Sequence, residues 1–117
     1  MRHSQKFQLE FWVPRIIKHY ARDLGLKGLR VELREWRRRW GECRFQEALR
    51  FNWRLILLPL EILDYVVVHE LAHLLEPGHN PRFWQRVEET LPDYRQRRYW
   101  LNRYGTPFLL WTLDEKG

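Results

Sequence analysis

Apolar positions recur at helical spacing over the first part of this chain, then alternate with polar ones, and then fill one long segment almost completely. From Leu9 to Leu24 the apolar set is Phe11, Trp12, Ile16, Ile17, Tyr20, Ala21 and Leu24, which predicts an amphipathic helix. Pro14 falls early in that run, and Gly25 and Gly28 mark its end. Leu29 to Arg34 alternates apolar and charged residues and reads as a half-buried strand. Trp36 to Phe45 reads as an irregular strand or turn region around Gly41. Ala48 to Leu58 reads as a strand with Leu49, Phe51 and Trp53 on one face. Ile56 and Leu58 leave that register, so a bulge is expected near Trp53-Arg54.

Pro59 suits the first turn of the next helix, where its missing N–H costs nothing. That helix is expected to run to about Glu76. It is apolar on nearly every side, which implies a central, buried position. Val66, Val67 and Val68 are poor helix formers, so packing must override propensity there. Gly78 is expected to end the helix in the left-handed conformation. Asn80 and Pro81 then suit the N-cap and first position of a helix from Pro81 to Thr90. A last helix, Asp93 to Tyr104, ends at Gly105. The tail Phe108-Leu109-Leu110-Trp111 either returns to the core or meets a partner. The expected fold is α+β in one domain over 1–117, with its core at about 29–105. A small antiparallel or mixed sheet from Leu29–Glu35, Trp36–Phe45 and Ala48–Leu58 packs on the buried helix.

Composition adds limits. A chain of 117 residues, 44% hydrophobic and with seven Trp, can build one substantial core. Charged residues interrupt every long apolar run, so no membrane span is expected. No apolar stretch follows the basic N-terminus, so no secretory signal is expected, and a reducing cytoplasm is the default. The single Cys43 excludes an internal disulfide and any multi-Cys zinc site. The net charge is +6, with Arg clustered at Arg34–Arg44 and Arg95–Arg103. Such clusters with interleaved aromatics suit nucleic acid or acidic partners, but a solvated surface explains them more simply.

The chemistry lies in His69-Glu70-Leu71-Ala72-His73. Residues four apart share a helix face, so the His69 and His73 imidazoles can converge on one metal ion. Glu70 projects about 100° away, where it reaches a metal-bound water rather than the ion. His79 follows, held between two helices by Pro77-Gly78 and Asn80-Pro81. Three His with one open position is a catalytic zinc arrangement. Zinc is favoured, one ion per chain, although nickel, cobalt or iron suit the same nitrogens. A bare structural reading, with the two His as satisfied core residues, leaves two imidazoles and a carboxylate costly to bury.

Four stretches carry a resemblance to a known family. They are Arg39-Trp40-Gly41-Glu42-Cys43, Leu49 to Leu55, Leu63 to His73, and His79-Asn80-Pro81-Arg82-Phe83-Trp84. The chain resembles the YgjP-like metallopeptidase family, which is related to SprT-like proteases. The resemblance implies a zincin-like fold, His69, His73 and His79 as metal ligands, and Glu70 as general base. The family usually has Ser at the position of Glu42, and many members carry a longer β-rich N-terminal region. The metzincins need a Gly where Glu76 stands and a downstream Met, and Met1 is the only Met here.

The expected activity is hydrolysis of a peptide bond in a peptide or protein substrate. Glu70 takes a proton from the attacking water and passes it to the leaving amine. Tyr65, Arg82, Asn52 and Tyr94 are candidates to donate to the oxyanion. Asn52 and Trp53 are candidates for an edge strand that pairs with an extended peptide. Phe83 and Trp84 are expected to brace His79. The rival reading is a nucleic-acid-associated SprT-like protease or a binding protein with a structural metal. A closed structural site needs a fourth ligand, and His3, His19 and Cys43 lack ligand spacing to the trio.

Overall fold

The computed structural model describes residues 11–44 and 48–110. Helix α1 spans Val13–Asp23 and buries Val13, Ile17 and Ala21, the stripe its spacing predicts. Leu9 and Glu10, which the predicted helix included, lie outside the described residues. Gly25 and Gly28 then take positive φ, 74° and 65°, and turn the chain into the sheet. Strands β1 (Val31–Arg34), β2 (Gly41–Arg44) and β3 (Ala48–Asn52) form a mixed sheet in the order β1-β3-β2. β1 is parallel to β3 and β2 is antiparallel to it. The central strand is therefore β3, with four of its five residues buried.

Three expectations about the sheet need correction. β3 does not continue through a bulge to Leu58; it stops at Asn52, and Trp53–Leu57 is a 3-10 helix. The cause is the Asn52 side chain, whose Oδ1 accepts the Arg54 N–H at 3.1 Å and caps the turn. Its amide also donates to the carbonyls of Trp36 and Arg39, at 2.8 and 3.0 Å, across the sheet end. The edge strand beside the helix is accordingly β2 rather than the Asn52-Trp53 segment. Finally, β1 is not half-buried by its apolar residues: Val31 and Leu33 are exposed. They line an apolar groove of about 850 Å³ against Ile17 and Ala21 of α1 whose walls, among the described residues, hold no His, Cys or acidic side chain.

The outer face of the sheet carries a charge ladder. Glu32, Arg50 and Glu42 are in register across β1, β3 and β2. Arg50 reaches Glu32 at 2.9 Å and Glu42 at 3.1 Å, and Arg39 adds a second contact to Glu42 at 3.0 Å. Glu42 thus belongs to this ladder. The Arg50 and Arg30 hydrogen bonds hold the Glu32 carboxyl down from 4.5 to about 2. A depressed carboxyl stabilises the fold above its unfolded value and loses that effect as pH falls towards the folded one. Glu32→Gln is therefore expected to flatten the acid limb of the stability curve between about pH 4.5 and 2, measured by denaturant melts across that range. An unchanged acid limb would show that the ladder does not couple to folding.

Helix α2 (Leu60–His73) is the centre of the molecule. Val67, Val68, Leu71 and Ala72 have no exposure at all, and nine of its fourteen residues are buried. Full burial of Val67, Val68 and Leu71 contributes roughly 1.5–3 kcal/mol each, enough to outweigh the helix propensity of three consecutive Val. α1, β2, α3 (Pro81–Thr90) and α4 (Tyr94–Tyr104) all pack against α2. The helix ends earlier than expected, with Leu74 as C-cap, and Gly78 does not have a positive φ. The N–H groups of Leu74, Leu75 and Glu76 close the last turn on the carbonyls of Leu71 and Ala72, so no left-handed residue is needed. Asn80 caps α3 by accepting the Phe83 N–H at 3.0 Å, as its sequence predicts. The short helix α5 (Thr106–Leu110) returns to the body of the protein, with Leu109 buried; Trp111 lies outside the described residues. No helix among the described residues is long and apolar enough to cross a membrane.

Candidate metal centre

α2 presents His69 and His73 one turn apart, and the turn before α3 brings His79 over them. The Nε2 atoms of His73 and His79 are 3.0 Å apart, and those of His79 and His69 are 3.3 Å apart. Nitrogens about 2.0–2.1 Å from one tetrahedral zinc stand about 3.3–3.4 Å from each other. The donor set thus fits a small divalent ion, and it is the group among the described residues with ligand atoms that converge in this way.

The other ring nitrogens have partners that favour this use of Nε2. His73 Nδ1 lies 3.2 Å from the Glu76 carbonyl, and His69 Nδ1 lies 3.3 Å from Glu70 Oε2. A proton held on Nδ1 by an oxygen acceptor leaves the Nε2 lone pair available. Burial, and then the neighbouring charge of His69, lower the pKa values of His73 and His79. Both rings are therefore biased to the neutral form that binds metal.

Aromatic packing fixes the trio. The fully buried Phe83 stacks on His73 at 4.3 Å and 26° and meets His69 and His79 edge-on at 5.1 and 5.0 Å. Trp84 stacks on His79 at 5.9 Å and 27°. The expected bracing role of Phe83 and Trp84 holds, and Phe83 extends it to all three rings.

Glu70 is only 8% exposed and faces β2. Gly41 makes its position possible: a Cβ there would stand 2.8 Å from Glu70 Cγ and 3.2 Å from Oε2. Cys43, two residues on, is held as a neutral thiol. Burial first, then the Glu70 and Glu42 charges, push it up to about 11. His19 pairs with Asp23 at 3.7 Å on α1, and His3 lies outside the described residues. Neither His19 nor Cys43 joins the trio.

His69, His79 and Glu70 open into a cleft of about 570 Å³ between β2 and α4, walled also by Trp40, Gly41, Tyr65, Arg98 and Asn102. Of the four candidate oxyanion donors, Tyr65 lines this cleft. Burial pushes its phenol up to about 12, so it keeps its proton. Asn52 is committed to the loop before β2, and Tyr94 is buried, stacked on Trp84 at 5.3 Å. Arg82 does not line the cleft. Of the Arg clusters expected to suit acidic partners, Arg98 lines the cleft; Asn102 was not singled out, since nothing in its spacing sets it apart from the surrounding Arg-rich helix.

The structure is similar to the metallopeptidase zymogen abylysin of Pyrococcus abyssi, with a TM-score of 0.69 at 22% identity, covering 80% of this chain and 95% of that one. It is likewise similar to the metallopeptidase zymogen jannalysin of Methanocaldococcus jannaschii, with a TM-score of 0.68 at 16% identity, covering 77% and 93%. At such identities the likeness shows a shared fold. No curated protein sequence matches the chain. The YgjP-like metallopeptidase domain, however, matches over residues 1–104, nearly the whole length, and the chain belongs to this family of metal-dependent peptidases.

Proposed function

We propose that the chain is a zinc peptidase in which His69, His73 and His79 hold the ion and Glu70 is the general base. The observation that carries this is the convergence of three Nε2 atoms beside a buried carboxylate, with His69, His79 and Glu70 lining one cleft. The ion, when bound, supplies Lewis acidity that polarises the scissile carbonyl and acidifies water. Glu70 accepts a proton as the water oxygen bonds to the carbonyl carbon. It returns that proton to the amide nitrogen as the C–N bond breaks. The Tyr65 hydroxyl donates to the carbonyl oxygen while negative charge gathers there. β2, an edge strand beside the cleft among the described residues, suits pairing with an extended peptide or protein substrate.

The test is cleavage of a peptide library by the chain before and after chelation. Cleavage is expected to disappear with the metal and to return on adding one equivalent of zinc. Cleavage that survives complete metal removal would refute the reading. The nucleic-acid alternative gains nothing from the Arg clusters, because many of their members are already paired. Arg34 pairs with Glu32, Arg39 with Glu42, Arg95 with Glu88 and Arg97 with Asp93.

Gly41 gives a sharper test of the base. A methyl group at Gly41 collides with Glu70 Cγ, so Gly41→Ala is expected to push the carboxylate out of place. A shift of about 1 Å costs on the order of 10²-fold in rate. The loss should fall on kcat, with metal content unchanged. Wild-type kcat in this variant would show that the close approach does not set the position of Glu70.

A further inference from the structure

The cleft continues past the metal trio. Behind Arg98 lies a second depression of about 410 Å³, which shares Trp84, Arg98 and Asn102 with the first and adds Tyr94, Arg95 and Tyr99. Arg95, Arg98, Tyr99 and Asn102 are spaced three, four and seven residues apart on α4, so they form one face of that helix.

Aromatic rings order this region. The Arg98 guanidinium sits 4.8 Å from the Trp84 ring centroid, and Trp84 stacks on both His79 and Tyr94. Arg95 lies 4.9 Å from the Tyr94 centroid. Cation–π contact of this kind holds a guanidinium in place without neutralising it. The charges then differ in their commitments. Arg97 is bound to Asp93 at 2.8 Å and Arg95 to Glu88 at 3.6 Å. Arg98 has no carboxylate within ion-pair distance among the described residues, and Glu70 is the only acidic residue lining either depression. Arg98 lines the same cleft as His69, Glu70, His79 and Tyr65, which places its charge beside the reaction site.

We propose that Arg98, with Asn102 one turn later, forms a substrate subsite that receives a carboxylate of the bound peptide next to the scissile bond. The guanidinium offers two parallel N–H donors to the carboxylate, and the Asn102 amide is placed to add a third. The subsite rests on the peptidase reading. It narrows the expected substrate from any peptide to one with an Asp or Glu side chain, or a free C-terminus, on the His79 side of the cut. Of the basic clusters visible in the sequence, it assigns the selectivity to one residue rather than to a diffuse field.

The experiment measures binding, so that it does not depend on turnover. Zinc-reconstituted Glu70→Gln protein is titrated with fluorescein-labelled decapeptides, read by anisotropy. Glu, Gln or Lys is placed at each position in turn, and each C-terminus is free or amidated. At low salt, one Glu position or the free C-terminus is expected to tighten binding about five- to tenfold over its neutral counterpart. The gain should vanish at 1 M salt, where charges are screened beyond about 3 Å. Adding Arg98→Gln should erase the gain, Arg98→Lys should keep part of it, and Arg98→Glu should transfer the preference to Lys. Arg86→Gln, away from the cleft, should leave it intact. Equal binding of acidic and neutral peptides, or equal losses in the Arg86 and Arg98 variants, would overturn the subsite. Absence of cleavage by the wild-type chain, with the Arg98-dependent preference intact, would instead fault the peptidase reading.

Discussion

Glu70→Gln is expected to bind one metal ion per chain, to melt like the unaltered protein, and to cleave peptides about 10²–10⁴-fold more slowly, the range a positioned general base contributes. The substitution keeps the size and shape of a side chain that is 8% exposed and packed against Gly41, so no cavity or clash results. What it removes is the ability to accept a proton. The hydrogen bond from His69 Nδ1 can still be made, to the amide oxygen, so the imidazole keeps its orientation. Metal content, melting temperature and rate must come from one preparation. Undiminished cleavage would remove Glu70 from the mechanism, and lost metal would show that its carboxylate supports the site rather than the reaction.

His79→Ala is expected to have the largest effect on metal affinity. His69 and His73 share α2 and stay together for as long as that helix is folded. His79 comes from the turn before α3 and lies on the exposed side of the trio. Without it, two nitrogens remain, and affinity should fall by more than the roughly 10–100-fold that follows loss of an outer hydrogen-bond partner. The same loss should appear in stability. Metal that binds the folded chain raises its melting temperature by mass action. Zinc should therefore raise the melting point of the wild-type protein and leave that of His79→Ala nearly unchanged at the same concentration. Titration of both proteins with zinc, followed by calorimetry and thermal melts, reads both effects. Equal affinity in the two proteins would assign the third ligand elsewhere.

The elements that local chemistry governs were legible in the sequence. Asn80-Pro81 starts α3 where capping rules place it, and the largely apolar run from Ile62 to Leu71 makes the buried centre of the fold. The spacing of His69 and His73 implied convergence, and the short turn to His79 made the third nitrogen reachable. Elements decided by distant partners were not legible. β3 stops at Asn52 because that side chain turns back to Arg54 and to carbonyls on the loop before β2, and a period-2 pattern carries no sign of those contacts. Val31 and Leu33 look like core residues, yet β1 is an edge strand whose apolar face borders a groove. Gly78 looked like a left-handed cap, but the carbonyls of Leu71 and Ala72 are satisfied without one. Gly41 was visible only as a break in a strand, and its closeness to Glu70 is a product of tertiary packing. Arg98 was legible only as a member of an Arg cluster. It is one of several Arg residues on α4, and only the docking of that helix beside α2 separates it from Arg95 and Arg97.

The central claim is that three imidazoles hold one ion beside a proton-accepting carboxylate. Its most direct test is a crystal structure of the chain purified without added metal, with diffraction recorded at the zinc absorption edge. The account predicts a single anomalous peak about 2.0–2.1 Å from Nε2 of His69, His73 and His79, with Glu70 outside bonding distance of it. A peak at any other residues, or an active protein with no peak at the trio, would contradict it.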